Sequence, residues 1–218
     1  MPAAAPAHRL IPSQFPPIGL FDTVATAADL AAVMELAGWT NDRLVAEPID
    51  RLPRNEWVYG RPDASIIMAS FLHVAPGGMR FNSADLGAWY AAGAVRTAVA
   101  EVAHHLRREA LARGVSAAQR RYRQYNCVLE GSYRDIRAAR ADVCESGDYT
   151  AGQFFGEAVR ASGGAGILYD SVRHTGGVSV AAYRPRLIRA VTQGDHFEIS
   201  VRAADRRIDV RALTGEGA

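Results

Sequence analysis

The stretch AVRTAVAEVAHHLRREALARG, Ala94–Gly114, organises the reading of this chain. Val95, Ala98, Val99, Val102, Leu106 and Ala110 recur at helical spacing and form one apolar stripe. Gly114 follows as a stop. The spacing predicts a helix over Ala94–Arg113 that buries this stripe. Glu101 falls beside the stripe rather than opposite it, at the border of the core. An ordinary solvated pair with His105 at i+4 would satisfy it.

Downstream, Tyr122–Leu129 reads as a strand, followed by a loop to Ser146. Thr150–Ala161 reads as a second helix, ended by Gly163 and Gly164. Gly166–Val172 and Val178–Tyr183 read as short strands around the turn Gly176–Gly177. Phe197–Val201 and Ile208–Leu213 suggest a closing hairpin. Upstream, Met1–Pro17 holds five of the ten prolines and reads as extended. Thr23–Gly38 reads as a helix, with Val24, Leu30, Val33, Met34 and Leu36 at helical spacing. Thr40–Ala64 is a polar connector rich in turn residues. Ser65–Val74, SIIMASFLHV, is a buried strand or a short buried helix, and periodicity does not decide between them. Arg80–Tyr90 is a loop leading into a strand. With no internal repeat or low-complexity linker, the pattern is that of one mixed α+β domain.

The 218 residues suit such a domain, and 49% hydrophobic with 22% charged residues is an ordinary globular balance. A net charge of +2 gives no general attraction to nucleic acid. All 25 basic residues are arginines, so every cation is a planar fork suited to phosphate or carboxylate. No lysine exists to form a Schiff base or complete a P-loop. Cys127 and Cys144 match no zinc spacing and are too few for a disulfide scaffold. The N-terminus lacks the features of a signal peptide, and no apolar run reaches bilayer length, so a soluble cytoplasmic protein with reduced thiols is expected.

Four motifs carry candidate chemistry. In GGMRFN, Gly77–Asn82, two glycines allow close approach of the backbone to a ligand, and Arg80 could grip a pyrophosphate with two parallel hydrogen bonds. Taken alone it is equally a turn with a surface arginine. In GAWYAAG, Tyr90 could stack on a flat heterocycle, or be a core aromatic. Glu101 could hold a ribose hydroxyl and stabilise an oxocarbenium-like transition state. In GILYDSVRHTGG, Gly166–Gly177, Ser171 could bond an amide such as that of nicotinamide, or merely end a strand. It lacks the G-x-S-x-G context of a hydrolase nucleophile. SGGAG, Ser162–Gly166, lacks the glycine spacing of a phosphate loop. The adjacent His104 and His105 point different ways on a helix and make a poor metal pair. Arg120–Arg140 interleaves arginines with Tyr122, Tyr125 and Tyr133, the pattern of a nucleic-acid surface, diluted by Glu130, Asp135 and Asp142.

The order of these motifs resembles the RES domain, a family named for its Arg, Glu and Ser. HRLIPSQFPP (His8–Pro17) looks like its opening arginine segment and points to Arg9. GGMRFN, then the tyrosine of WYAAG, look like its second arginine motif, with Phe81 where the family often has Trp. TAVAEVAHH (Thr97–His105) looks like its glutamate helix, and GILYDSVRHTGGVSVAAYRP (Gly166–Pro185) like its serine strand. The resemblance spans about Arg9 to Pro185, with an N-terminal segment 1–64 and a C-terminal hairpin 186–214 around or beyond that core. It implies a split β-sheet related to ADP-ribosyltransferases, with flanking helices. It also implies the toxin of a bacterial toxin–antitoxin pair that consumes NAD⁺ as substrate. Neither a metal nor a further cofactor is implied. The expected catalytic residues are Arg80, Tyr90 and Glu101, with Arg9, Phe81, Asn82 and Ser171 binding NAD⁺. The expected partner is an antitoxin with an Xre-like helix-turn-helix DNA-binding part. Phosphate, water or a protein side chain remain open as acceptors of the ADP-ribose. A non-catalytic nucleic-acid-binding module is the expectation from a different class.

Overall fold

In a computed structural model, residues 5–14, 19, 21–26, 28–30, 32, 50–144 and 147–213 are described. One eight-stranded sheet runs through them in the order β4-β5-β6-β2-β1-β3-β7-β8. The strands are β1 (Ala5–Pro12), β2 (Trp89–Ala92), β3 (Ala117–Leu129) and β4 (Tyr133–Asp135). They continue with β5 (Gly166–Asp170), β6 (Val178–Ala182), β7 (Ile188–Arg202) and β8 (Ile208–Leu213). Only the β4–β5 pairing is parallel. Among the described residues, the α-helices with complete ranges are α1 (Ala64–Leu72), α2 (Val95–Ala112) and α3 (Thr150–Ala161). The mixed α+β domain expected from the pattern is the one observed.

The sheet is split in the middle. β1 pairs with β3 along its whole length, Ala5–Pro12 against Leu129–Tyr122, but with β2 only at His8–Ala92. The halves β4-β5-β6-β2 and β1-β3-β7-β8 therefore hinge on one residue pair. The extended reading of Met1–Pro17 holds for Ala5–Pro12, residues 1–4 and 15–17 lie outside the described residues, and the strand lies at the centre of the sheet.

Side chains alternate between the two faces. On one face Trp89, Tyr125, Cys127, Leu168 and Val180 pack with α1 and with Phe21, Leu30 and Val58. On the other, Leu10, Tyr122, Ile199 and Val201 pack against Ala98, Val99, Ala103 and Leu106 of α2. Further along that face Ile167, Tyr169, Ala181 and Tyr183 pack with Phe81 and, from α3, Phe155 and Val159. Two helices thus cover different halves of one face and leave the split between them.

The stripe of α2 is buried as its spacing requires, and Gly114 ends the helix at φ +66, a left-handed conformation that favours glycine. The Ser65–Val74 run is helical. Asp22 Oδ1 accepts the Ser65 N–H at 2.8 Å, and Ser65 Oγ accepts the Phe21 N–H at 2.9 Å. That cap comes from 43 residues away, so the local sequence does not announce it. In the predicted helix Thr23–Gly38, residues 28–30 and 32 are helical, and residues 33–38 lie outside the described residues. It starts later than predicted because Thr26 and Asp29 form a reciprocal cap, with Thr26 N and Oγ1 donating to Asp29 and Asp29 N to Thr26 Oγ1. Residues 40–49 of the connector also lie outside.

β3 and β7 are longer than predicted, beginning at Ala117 and Ile188. Their added ends are largely exposed apart from the buried Ile188 and Val191, so the ladder between the strands supplies what hydrophobic patterning does not. β4 was hidden in the predicted loop for the same reason. Among the described residues, no helix is long and apolar enough to cross a membrane.

α3 meets the loop Gly77–Gly87 through two glycines. A Cβ at Gly156 would clash with the Phe81 carbonyl oxygen and stand 2.6 Å from the Tyr183 hydroxyl, and one at Gly152 would clash with the Arg80 carbonyl oxygen. Gly156→Ala should therefore destabilise the protein by about 1–3 kcal/mol, despite the roughly 1 kcal/mol by which alanine favours a helix. Denaturant unfolding checks this, with Gly147→Ala as a control, since no neighbour lies within 4 Å of a Cβ there.

Candidate active site in the split of the sheet

Where β1 and β2 diverge, the backbone of β2 loses its partner strand. Arg9 fills that gap. Its Nη1 donates to the Tyr90 carbonyl oxygen at 3.0 Å, and its guanidinium lies 4.8 Å over the Trp89 ring. A side-chain donor thus replaces a missing ladder bond. Burial lowers the Arg9 pKa to about 10, which leaves it charged at neutral pH.

A cavity of about 320 Å³ opens here between α2, the loop that carries Arg80 and the end of α1. Arg9, Arg80, Asn82, Tyr90 and Glu101 all line it, so five of the seven residues named from the sequence share one cleft. The other two stand behind it. Phe81 is fully buried in the core, edge-on to Tyr169 with ring centroids 4.8 Å apart. Ser171 is buried and reaches the cleft through Glu101.

One face of α3 holds the Arg80 loop. Gln153 Nε2 donates to the carbonyls of Gly77 and Met79 at 2.8 and 3.0 Å. Glu157 Oε1 accepts from Ser83 N and Oγ, and Arg160 Nη2 donates to the carbonyls of Leu86 and Gly87. These three lie at i, i+4 and i+7 and so share a helix face. Arg80 is buried, donates through Nη1 to the Cys144 carbonyl and lies 5.1 Å over the Tyr149 ring.

Tyr90 closes the loop from the other side. Its hydroxyl accepts the Phe81 N–H at 2.9 Å and donates to Asn82 Oδ1 at 2.9 Å. Burial raises its pKa well above the ordinary phenol range, so it stays a neutral donor and acceptor.

Glu101 projects from the flank of α2. Its Oε1 accepts a 2.6 Å hydrogen bond from Ser171 Oγ. That oxygen in turn accepts the N–H groups of Arg173 and His174 at 3.2 and 3.1 Å. Both amides polarise the hydroxyl toward the carboxylate. One helical turn before Glu101, Thr97 Oγ1 bonds His174 Nδ1 at 2.9 Å. The turn after β5 is therefore pinned to α2 at two points. The Ser171 hydroxyl has its proton committed to Glu101 rather than turned to the cavity.

Sequence reading missed several lining residues. Tyr149 and His8 carried no distinctive signal, and His105 was weighed only as a partner for Glu101 or as a metal ligand. Burial, then the nearby Arg108, Arg173 and Arg80, lower the His105 pKa and favour its neutral form. Arg173, within the quoted serine motif, also lines the cleft. Among the described residues, no group of three or more His, Cys, Asp or Glu could hold a metal.

The Arg120–Arg140 stretch does not form an open basic and aromatic surface. Tyr122 and Tyr125 are buried, and Tyr133 packs against the core. Arg120 pairs with Glu109 at 2.8 Å, Arg137 with Asp135 at 2.6 Å and Arg140 with Asp142 at 2.7 Å.

Removing the Tyr90 hydroxyl would leave the buried Phe81 N–H and Asn82 Oδ1 without this partner. Tyr90→Phe should lower stability by about 1–3 kcal/mol, read as a shift in the urea midpoint at constant m-value.

The family model described as the RES domain matches residues 48–202, well over half of the chain. No curated protein matches. Among solved structures the chain is similar to the M. tuberculosis MbcT–MbcA toxin–antitoxin complex, at 19% identity and a TM-score of 0.43. That similarity covers 59% of this chain and 74% of the matched one. On the family match, this chain belongs to the RES-domain family.

Proposed function

We propose that this chain is the toxin of a toxin–antitoxin pair and cleaves NAD⁺ at the bond between nicotinamide and ribose. The observation that carries the reading is the Glu101 carboxylate, held by Ser171, in one cleft with Arg80, Arg9, Asn82 and Tyr90. Those are the group types a dinucleotide needs: cationic forks for the diphosphate, an aromatic wall and a carboxylate for the ribose.

Arg80, helped by Arg9, binds the diphosphate. Tyr90 packs beside nicotinamide or its ribose and fixes the loop that carries Arg80. Glu101 holds the ribose and stabilises the oxocarbenium-like cation as the C–N bond breaks. Nicotinamide leaves neutral, taking the bonding electron pair onto its former pyridinium nitrogen. The acceptor oxygen then bonds to the ribose carbon and gives up its proton. Positioning and electrostatics are the main demands on the protein. Phosphate as acceptor gives ADP-ribose-1″-phosphate and water gives ADP-ribose. A protein side chain as acceptor makes the enzyme a mono-ADP-ribosyltransferase. NAD⁺ degradation ranks first and protein transfer second.

Ser171 acts through Glu101, because its proton is already directed to that carboxylate. A free enzyme of this kind would harm its host, so an antitoxin with an Xre-like DNA-binding part is the expected partner, entering the cleft near Arg80 and Glu101.

Purified protein incubated with NAD⁺, with and without phosphate, should release nicotinamide, and the mass of the second product identifies the acceptor. Glu101→Gln should slow this by on the order of a hundredfold, about 3 kcal/mol in barrier, with the melting temperature little changed. Wild-type rates in that variant would sink the reading. Toxicity in cells should be relieved by co-expressing the neighbouring gene product; no relief would end the antitoxin pairing.

A further inference from the structure

Arg173 enters the cleft from the turn after β5. Its backbone is fixed, since its N–H donates to Ser171 Oγ. Its guanidinium is differently placed. Nε and Nη2 are both shut off from solvent, and neither has a hydrogen-bond partner among the described residues. These two atoms are not an arbitrary pair. Nε–H and the adjacent Nη2–H form the side-on edge of the guanidinium, the edge that presents two parallel donors to one anionic group.

Arg173 is only part-buried and has Tyr149 as a hydrogen-bonding neighbour, but two shielded and idle donors on one fork are costly, because the desolvation of each is uncompensated. Arg9 and Arg80 are each tied through Nη1, and Arg9 Nε is likewise shut off without a partner among the described residues. Arg9 is tied to the Tyr90 carbonyl and lies over Trp89, and Arg80 is tied to the Cys144 carbonyl and lies over Tyr149. Glu101 feels the charge of Arg173, but no ion pair within 4.0 Å joins the two among the described residues. Burial is the largest influence on the Arg173 guanidinium, ahead of Glu101 and Arg80. The cleft therefore holds a second fork, beside Tyr149 as Arg80 is, whose free edge has a doubly acceptor-lined anion as its natural counterpart.

Building on the dinucleotide reading above, we infer that the side-on edge of Arg173 binds one phosphoryl group of the substrate diphosphate while Arg80 holds the other. A diphosphate has two such groups, and two separate forks in one cleft can divide them. Because ADP-ribose retains this diphosphate, Arg173 also contributes to holding the product after nicotinamide has left.

The test uses the full chain with Arg173→Gln and Arg173→Lys. Two quantities are read: steady-state NAD⁺ cleavage, and ADP-ribose affinity by calorimetry. The glutamine variant should raise KM for NAD⁺ and the Kd for ADP-ribose together, by on the order of 10- to 100-fold, with a smaller effect on kcat. The lysine variant keeps the charge but loses the fork, and should recover only a minor part of that loss. Melting curves establish that both variants are folded. If both match an active wild type, or if kcat falls while KM and Kd hold, the fork is overturned and the dinucleotide reading stands. If the wild type neither cleaves NAD⁺ nor binds ADP-ribose, the dinucleotide reading falls and this assignment falls with it.

Discussion

The sheet of this protein is interrupted at its centre, and the rest of the site depends on how that interruption is closed. β1 and β2 share one residue pair, His8–Ala92, and then separate. An unpaired carbonyl inside a domain is expensive, so the gap requires a donor that reaches across it. Arg9 is that donor. Its length lets the strands stand apart while the Tyr90 carbonyl stays satisfied, and Trp89 supports the guanidinium plane. A shorter side chain would have forced the strands together and filled the cleft with backbone.

From that constraint the two walls follow. On one side the Arg80 loop has little secondary structure of its own, and α3 gives it a fixed shape through Gln153, Glu157 and Arg160. The glycines on that helix let it approach the loop backbone closely enough for those bonds. On the other side the turn after β5 is fixed to α2 by the Ser171–Glu101 and His174–Thr97 bonds. A carboxylate left to itself on a helix flank would sample several rotamers. Here one oxygen is held by a hydroxyl that is itself held by two amides. The other oxygen is left for whatever enters the cleft.

The sequence made the fold legible wherever a helix buries a stripe, as in α2 and α3, and wherever glycine turns punctuate short apolar strands, as in β5 and β6. It was silent where pairing rather than patterning decides. The added end of each of β3 and β7 is a strand because it pairs with the patterned part of the other, and α1 is helical with a cap supplied by Asp22 from a distant segment. The site was legible as a set of residues, because separate motifs carried distinct chemical types in a recognisable order. Their division of labour was not. Nothing local reveals that the Ser171 hydroxyl is spent on Glu101, or that Phe81 lies fully in the core behind Arg80. Those facts arise from contacts between residues 70 or more positions apart, such as Ser171 with Glu101. Arg173 escaped for a related reason: an arginine beside a turn reads as solvated until its surroundings are known.

How tightly this cleft is assembled bears on how such a protein could be controlled. Both walls are held by hydrogen bonds to packed helices, so the cleft does not need a ligand to form. Binding to a prepared cleft spends little on ordering, which favours affinity for a charged and flexible substrate. It also narrows the means of inhibition. A partner cannot easily silence such a site by loosening one wall, because each wall is bonded to the core at more than one point. Occupying the space, or meeting the idle donors with its own acceptors, is the cheaper route. The arginine forks that make the cleft suited to a diphosphate would equally attract an acidic side chain or a chain terminus inserted by a partner. On the proposed function, substrate and inhibitor would then compete for the same donors, and an inhibitor that leaves those donors unmet would bear the cost of burying them a second time.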